Sequence, residues 1–334
     1  MLSRTLFSKW LVDISTFKID DFPIGEGAYG VVRKGIRPAS KKKPELTVAV
    51  KYLKAERIQT NKDQMKFHNE VGCQASLKHI AVLPLVGYSI PFMGRGDYTI
   101  VTEFMPKGSL KSLIEQAASG SAPDNWETIK AINIFGIAAG MAYVHQQKII
   151  HRDLKTENIM LDEDYFPKIS DFGFSKVFEE GSENQITQTL NIGTPSYMAP
   201  EILDNQHYTN KIDVFAYSII LYELMTNNKP WEDQDNKVKF NLVKYVSEGL
   251  RPTIHEREIP PDYVELIERC WDHDPKNRPS FIQMVKGFMD FRDVYFNMEL
   301  IDETDFLDYI EEAVKGLDFS VLDANEDEEE ALSD

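Results

Sequence analysis

The sequence predicts an α+β protein in two parts, a small strand-rich N-terminal portion and a larger helical C-terminal one. Two observations carry this. β-Branched and aromatic runs, broken by turn residues, crowd residues 17–53 and return at Leu83–Ser89 and Tyr98–Phe104. From Gly108 onward long helical patterns take over, at 126–147, 211–226, 234–247 and 262–270, separated by polar, glycine-bearing loops. Strands and helices segregated along the chain make an α+β architecture rather than an alternating one.

Each element follows from its residues. Met1–Lys9 contains Arg4 and Lys9 with no acid before Asp13, a faint transit-peptide echo that is too short and too poor in Arg and Ser. Residues 1–16 read as an N-terminal extension. Val31-Val32 and Leu46–Val50 read as strands joined by a basic, proline-bounded loop, Arg37–Pro44, whose expected role is a solvated hairpin connection. Residues 61–77 read as a helix. After Phe291 the character turns acidic, and residues 293–334 read as a tail. Glu299–Asp334 hold 15 acids and one base, Lys315, so −14 of the net −17 lies there and the preceding 298 residues hold only −3. Leu300, Leu307, Ile310 and Val314 recur at helical spacing. A short amphipathic helix that binds a partner and a solvated acidic tail are both open readings. Few residues of 299–334 look core-forming, so the tail is expected to be dispensable for folding.

Composition excludes several classes. At 334 residues, 42% hydrophobic and 27% charged, the chain is ordinary for a soluble globular protein. No apolar run approaches the ~18 residues that span a bilayer, and the end Ala331-Leu332-Ser333-Asp334 is no prenylation box. A nearly neutral body with an acidic tail lacks the basic footprint of a nucleic-acid binder. Cys73 and Cys270 stand in no CxxC spacing. They read as free thiols of a reducing compartment, and the cytoplasm is the expected location.

Gly25-Glu26-Gly27-Ala28-Tyr29-Gly30-Val31-Val32 matches GxGxxGxV. A dinucleotide-binding turn also uses GxGxxG, but it opens a helix and wants an acid about 20 residues on. Here the glycines run into the strand-like Val31-Val32-Arg33-Lys34, and the residue 21 positions after Gly30 is Lys51. A glycine hairpin folding over phosphates fits better, because glycine lets backbone N–H groups approach phosphate oxygens. Lys51 closes the strand Val48-Ala49-Val50-Lys51. A lysine in such a strand wants a partner. Glu70, 19 residues on, is one candidate, although the residues alone leave open two unrelated surface charges. The most specific segment is His151-Arg152-Asp153-Leu154-Lys155-Thr156-Glu157-Asn158, followed by Asp171-Phe172-Gly173 and Ala199-Pro200-Glu201.

In this order the six elements resemble the eukaryotic protein kinase superfamily over roughly residues 17–292. The resemblance implies a two-lobed kinase fold: a small antiparallel-sheet lobe (about 17–103) with one regulatory helix, and a larger helical lobe (about 108–292). It implies that Asp153 orients or accepts the proton of the substrate hydroxyl, and that Lys51, fixed by Glu70, holds the α- and β-phosphates of ATP. Asn158 and Asp171 would hold Mg²⁺, with Mn²⁺ as a substitute. Transfer of an anionic phosphoryl group needs charge neutralisation and in-line positioning above all. ATP would be enclosed by Ile24, Gly25, Glu26, Gly27, Ala28, Tyr29, Gly30 and Val31. Adenine would lie between Val32 and Ala49 above and Met160 below. Glu103–Met105 would form the hinge and Thr102 the gatekeeper.

Lys155, two places after Asp153, and Gly193–Glu201 resemble the serine/threonine type, in which Thr194 would bond Asp153 and Lys155. Gly108-Ser109-Leu110, Asp213–Ser218 and Cys270–Phe281 resemble the tyrosine-kinase-like branch, with Arg278 pairing Glu201. The implied substrates are protein Ser/Thr hydroxyls. Arg152 before Asp153 implies activation by phosphorylation of the segment Asp171–Glu201, with Lys176 as a second unpaired cation and Thr189, then Thr187, as acceptor. Gln74 departs from the family, which usually packs an apolar residue there against Phe172, and so is expected to loosen the active arrangement. Ile80 stands where Pro is common, a neutral change. The alternative function is a pseudokinase or scaffold module, which would normally have lost Lys51, Asp153 or Asp171.

Overall fold

The computed structural model describes residues 8–27, 30–41, 43–54, 58, 60–91, 96–177, 194–203, 207–255 and 259–322. Two units divide the chain: Met1–Lys78 with Val82–Pro106 and Asp171–Gly173, and His79–Ala81 with Lys107–Ser170 and Phe174–Asp334.

In the first unit, β1 (Lys18–Glu26), β2 (Gly30–Arg37), β3 (Leu46–Leu53), β4 (Leu85–Ser89) and β5 (Thr99–Glu103) form one antiparallel sheet in the order β1-β2-β3-β5-β4. The alternation in Val48-Ala49-Val50-Lys51 sorts the two faces, since neighbouring side chains on a strand point to opposite sides. Val48, Val50, Val86 and Val101 form an apolar cluster on one face, covered by Val12, Ile14, Phe17 and Ile19. Helix α1 (Asn61–Ser76) starts on a Thr60–Asp63 capping box, in which each residue satisfies the other's backbone N–H. Phe67 and Val71 of α1 pack with Leu85, Tyr88 and Ile100 in a second cluster, joined by Trp10.

The segment before residue 17 is therefore no mere appendage. Tyr88 donates its N–H to Trp10 O at 2.8 Å, and Val12 donates to Tyr88 O at 2.9 Å, which extends the sheet beyond β4. Gly87 permits the approach: a Cβ there would lie 2.5 Å from Val12 Cγ1 and 2.8 Å from Trp10 O. Gln74, the polar departure from the family pattern, has a partner. It is buried, and its Nε2 donates to Leu83 O at 3.1 Å, so the polar side chain ties α1 to the segment entering β4.

The second unit is built on α3 (Trp126–Gln146) and α5 (Lys211–Thr226), both buried along almost their whole length. Around them stand α2 (Leu110–Ala118), α4 (Pro200–Leu203), α6 (Asn236–Phe240), α7 (Leu242–Ser247), α8 (Pro261–Cys270), α9 (Phe281–Asp290) and α10 (Arg292–Tyr295). The pattern at 234–247 resolves into two short helices, α6 and α7. Three small ladders complete the scaffold: β6 (Ile149–Ile150) pairs β9 (Lys176–Val177), and β7 (Ile159–Leu161) pairs β8 (Pro167–Ile169), while Ser109 bridges to Met160. Arg278 is fully buried and forks onto Glu201 at 2.7 and 2.9 Å, a bidentate geometry that suits guanidinium and carboxylate.

The acidic tail contains α11 (Glu303–Ala313), capped by Asp302, whose carboxylate accepts from Thr304 N and Asp305 N. Its inward face differs from the expected one. Phe306, Tyr309 and Ala313 are buried, whereas Leu300 is 61% exposed and Leu307, Ile310 and Val314 are half-buried. α11 lies along α3, where Gly136 leaves room for the Tyr309 ring; a Cβ there would lie 2.2 Å from Tyr309 Oη. Phe166 meets Tyr309 edge-on at 4.8 Å. Burial of each such large apolar side chain is worth about 1.5–3 kcal/mol. The expectation that 299–334 is dispensable for folding is corrected on that ground.

Candidate active site

In the first unit three charged side chains converge from separate segments. Lys51 of β3 places Nζ 3.4 Å from Glu70 Oε1 of α1 and 3.1 Å from Asp171 Oδ1. Burial opposes the Lys51 charge, but the two carboxylates outweigh it and raise the Lys51 pKa. Burial pushes the Glu70 carboxyl up, Lys51 pulls it down, and Asp171 pushes it up again. Asp171 takes a positive φ of 62°, uncommon for a residue with a side chain. Gly173 keeps the corner open, because a Cβ there would lie 3.1 Å from Glu70 Oε2.

The register puts Val32 opposite Lys51 and Ala49 opposite Thr102. Directly opposed residues share a face, so Val32, Ala49, Lys51 and Thr102 line one side of the sheet. Val31 does not join them. It stands opposite Tyr52, one step out of phase, and its side chain belongs to the other face. Glu103 likewise opposes Val48 and is turned away from Thr102, and its N–H is taken by Pro84 O at 3.3 Å. Met105 is buried. Ile24, 52% exposed, Gly25 and Glu26 end β1, and Gly27, just beyond it, donates to Gly30 O. Gly30 is obligatory, since a Cβ would fall 2.2 Å from Tyr52 O. Ala28 and Tyr29 lie outside the described residues. Met160, on β7, belongs to the second unit.

In the second unit Asp153 is buried at the centre of a polar cluster. Lys155 Nζ lies 2.9 Å from Asp153 Oδ2 and donates to Thr194 Oγ1 at 2.8 Å. Thr194 donates to Asp153 Oδ1 at 3.3 Å. Asn158 Nδ2 donates to the Asp153 backbone carbonyl at 2.7 Å and to Oδ2 at 3.0 Å. The structure thus brings together Asp153, Lys155, Asn158 and Thr194. Arg152, Asp153, Thr194, Tyr197 and Met198 line a hollow beside the carboxylate.

Each unit carries oxygen donors of the hard kind. In the second unit both hydrogens of the Asn158 amide are directed at Asp153, which leaves its carbonyl oxygen as the donor for a cation; in the first unit Asp171 offers carboxylate oxygen. Hard oxygen donors few in number are what Mg²⁺ takes when nucleotide phosphates and water complete its shell.

Three residues that hold this loop went unassigned in the sequence reading. Asp213 is 1% exposed and accepts from His151 N at 2.8 Å, Arg152 N at 2.9 Å and His145 Nε2 at 2.9 Å. Burial alone would raise its pKa, but the His145 bond and the neighbouring imidazoles and amides lower it. These bonds also hold Arg152 at φ 70°. Tyr197 donates to Glu223 Oε2 at 2.5 Å, and Thr156 donates to the same oxygen at 3.3 Å. Burial, above all, pushes the Glu223 carboxyl up to about 7. The available signal was an acid at each end of an otherwise apolar helix, α5.

The regulatory expectation needs correction at Arg152, which is not unpaired. Its Nε donates to Phe174 O and its Nη1 to Tyr208 Oη at 3.1 Å. Lys176 is exposed on β9. Thr187 and Thr189 lie outside the described residues.

Comparison with known proteins agrees with this geometry. Residues 20–289 match the protein kinase domain. The chain is 33% identical over 281 residues to a dual specificity protein kinase of Dictyostelium discoideum (shkB), covering 83% of this chain and 41% of that protein. It is 33% identical to the serine/threonine-protein kinase STY46 of Arabidopsis thaliana, covering 83% and 44%, and 32% identical to STY17 of the same plant, covering 83% and 45%. The chain therefore belongs to the eukaryotic protein kinase superfamily, and it spans less than half the length of these curated relatives.

Proposed function

We propose that the chain is an ATP- and Mg²⁺-dependent protein serine/threonine kinase acting in signalling, in the cytoplasm or another reducing compartment. The observation that carries the reading is the triad of Asp153, Lys155 and Thr194, joined at 2.8–3.3 Å around one carboxylate. The names of its plant relatives, serine/threonine kinases, support the same choice. Two buried cysteines, Cys73 and Cys270, neither of them in a disulfide, suit a reducing compartment.

Each residue has a task that its contacts support. Asp153 presents a carboxylate in a fixed pose, and a serine or threonine hydroxyl entering beside it donates its proton to that carboxylate as its oxygen attacks. Lys155 places its ammonium 2.9 Å from that carboxylate and offers charge to the transferred phosphoryl oxygens. Lys51 holds the nucleotide phosphates, with Glu70 keeping its ammonium on station. Mg²⁺, held by Asn158 and Asp171, would neutralise phosphate charge. Phosphorylation at Thr189, then Thr187, is the proposed switch. The two partners of Arg152 are a carbonyl and a phenol, both neutral, so an incoming phosphate would supply the opposite charge.

The test is transfer from Mg-ATP to a generic basic protein, followed by phosphoamino-acid analysis and mass-spectrometric mapping of autophosphorylation. Phosphoserine and phosphothreonine are expected. Predominant phosphotyrosine would overturn the specificity, and absence of transfer would overturn the activity. Full activity of phosphatase-treated enzyme and of the Thr187→Ala, Thr189→Ala double variant would remove the switch.

A further inference from the structure

Two histidines of the second unit are used in the same way. His151 Nδ1 accepts from Asp153 N, two residues on, and its Nε2 donates to the distant Ser170 O at 3.0 Å. His79 Nδ1 accepts from Ala81 N at 3.1 Å, and its Nε2 donates to Ala313 O at 2.7 Å, at the last residue of α11. An imidazole that accepts at one nitrogen and donates at the other is neutral. Burial of His79 lowers its pKa and agrees with that state. Tyr143 of α3 stacks on the ring at 5.1 Å.

The two histidines are ends of one chain of bonds. Ala81 O accepts from Ile169 N at 2.8 Å, and Ile80 O accepts from Lys168 Nζ at 2.8 Å. Ile169 closes β8. The next residue, Ser170, donates both its N–H and its Oγ–H to Asn158 O, each at 2.8 Å, and gives its carbonyl to His151. α11 also presses on the same hairpin through Tyr309 and Phe166. It is pinned at both ends, by Asp302 N to Thr128 Oγ1 at 2.9 Å and by the reciprocal pair Gln146–Asp318 at 2.7 and 3.1 Å.

We propose that α11 is a positioning element for the catalytic loop, and that His79 is the positioning residue that transmits it to Asn158 through Ala81, Ile169 and Ser170. The functional half of this inference rests on the kinase reading above; the structural half does not. The acidic tail thereby acquires a task within the unit that contains Asp153, apart from any partner of its charged outer face.

The test uses the full chain and three variants. His79→Asn keeps an acceptor for Ala81 N–H but is too short to reach Ala313 O. His79→Gln is long enough to donate to Ala313 O. Phe306→Ser undocks α11 without touching residue 79. Amide hydrogen exchange is read over 79–83 and 155–170 without nucleotide or metal, and kcat and the KM for ATP are read with Mg-ATP and a generic basic protein. The expectation is faster exchange in both segments for His79→Asn and Phe306→Ser. Their kcat should fall about two- to tenfold, the worth of one net hydrogen bond, with the KM for ATP little changed. His79→Gln keeps the bond to Ala313 O but gives up the Nδ1 acceptor of Ala81 N–H, and should be damaged no more than His79→Asn. Unchanged exchange over 155–170 in His79→Asn overturns the proposal. Should Phe306→Ser unfold globally, His79→Asn decides. Altered exchange with no phosphotransfer in any protein, wild type included, would uphold the brace and refute the kinase reading instead.

Discussion

In the sheet-bearing unit, Lys51, Glu70 and Asp171 come from three separate segments and meet through charge, at 3.1–3.4 Å, with side chains still 11–29% exposed. In the helical unit, Asp153 sits on a loop whose backbone is itself held, by the buried Asp213 carboxylate at His151 and Arg152 and by Ser170 at Asn158. The first cluster can be opened by moving any one segment, because no backbone bond ties Lys51 to its two acids. The second cannot open without breaking several buried bonds at once. A site that must admit a nucleotide and release it benefits from the first construction. A group that must meet a hydroxyl at hydrogen-bond distance benefits from the second.

The largest expected effect breaks each cluster at its centre. Asp153→Ala should lower kcat by about 10²–10⁴-fold, the usual worth of a positioned acid or base, while leaving nucleotide affinity nearly unchanged. Lys51→Met should instead weaken nucleotide binding and abolish transfer, and Asp171→Ala should abolish transfer with loss of metal dependence. Titration with a fluorescent ATP analogue beside steady-state kinetics separates the cases. Equal loss of nucleotide affinity in Asp153→Ala and Lys51→Met would erase the division of labour.

Next in size is the scaffold. Asp213→Ala removes the acceptor of two buried backbone N–H groups and leaves Arg152 at positive φ without support. A cost of about 3–5 kcal/mol in urea unfolding is expected, as for other broken buried charge networks. Glu70→Gln, in the open cluster, should cost far less stability while still impairing transfer. Comparable unfolding midpoints for the two variants would show that both clusters are built alike. Smaller again is Gly87→Ala, which sets a methyl against Trp10 O and Val12. It should cost about 1–3 kcal/mol, the range for overpacking, by lifting residues 10–12 off β4. Unchanged thermal stability would show that the N-terminal segment is not part of the sheet's support.

What was legible in the sequence follows the same division. Lys51, Asp153, Asn158 and Asp171 stand in contiguous motifs, so local reading picked them out together with the strands and long helices around them, whereas Glu70 stands in none and was reached only through the family resemblance. The supports are not local. Asp213 lies 61 residues beyond Arg152, and nothing near it says which backbone it caps. The strand role of residues 10–12 depends on Gly87, far along the chain. α11 was visible as a period, but the period was phased on Leu300, Leu307, Ile310 and Val314, whereas the buried stripe is Phe306, Tyr309 and Ala313. Aromatic rings docked against Gly136 and Phe166 settled the phase, and neither contact has a sequence signature. Val31 was counted with Val32 because a motif is read as a string, while a strand turns every second residue away.

The effect that shows only across a pH window tests the two buried carboxyls of α5, which stand ten residues apart and titrate in opposite directions. Asp213 has basic and N–H partners, its folded pKa is lowered, and its contribution is present above the unfolded value of 3.8 and lost as pH falls through the folded value. At Glu223 burial, with Glu157 nearby, outweighs the downward pull of the Tyr197 and Thr156 hydroxyls and of Lys111. Burial raises it from 4.5 to about 7, so between those limits the folded state binds more protons than the unfolded state. Its contribution is complete below pH 4.5 and is lost as pH rises through 7, at about 1.4 kcal/mol per pH unit and roughly 3 kcal/mol in all. Glu223→Gln keeps an oxygen to accept from Tyr197 and Thr156 but does not ionise. The variant should therefore match wild type near pH 4.5 and gain on it steadily toward pH 7.5, while Asp213→Asn shows no such crossing. Thermal midpoints of the three proteins measured across that window supply the comparison, the difference from wild type cancelling the histidines and surface acids that they share. Parallel curves for Glu223→Gln and wild type would mean that Glu223 is ionised in the fold, and that Tyr197 and Thr156 are enough to hold its charge.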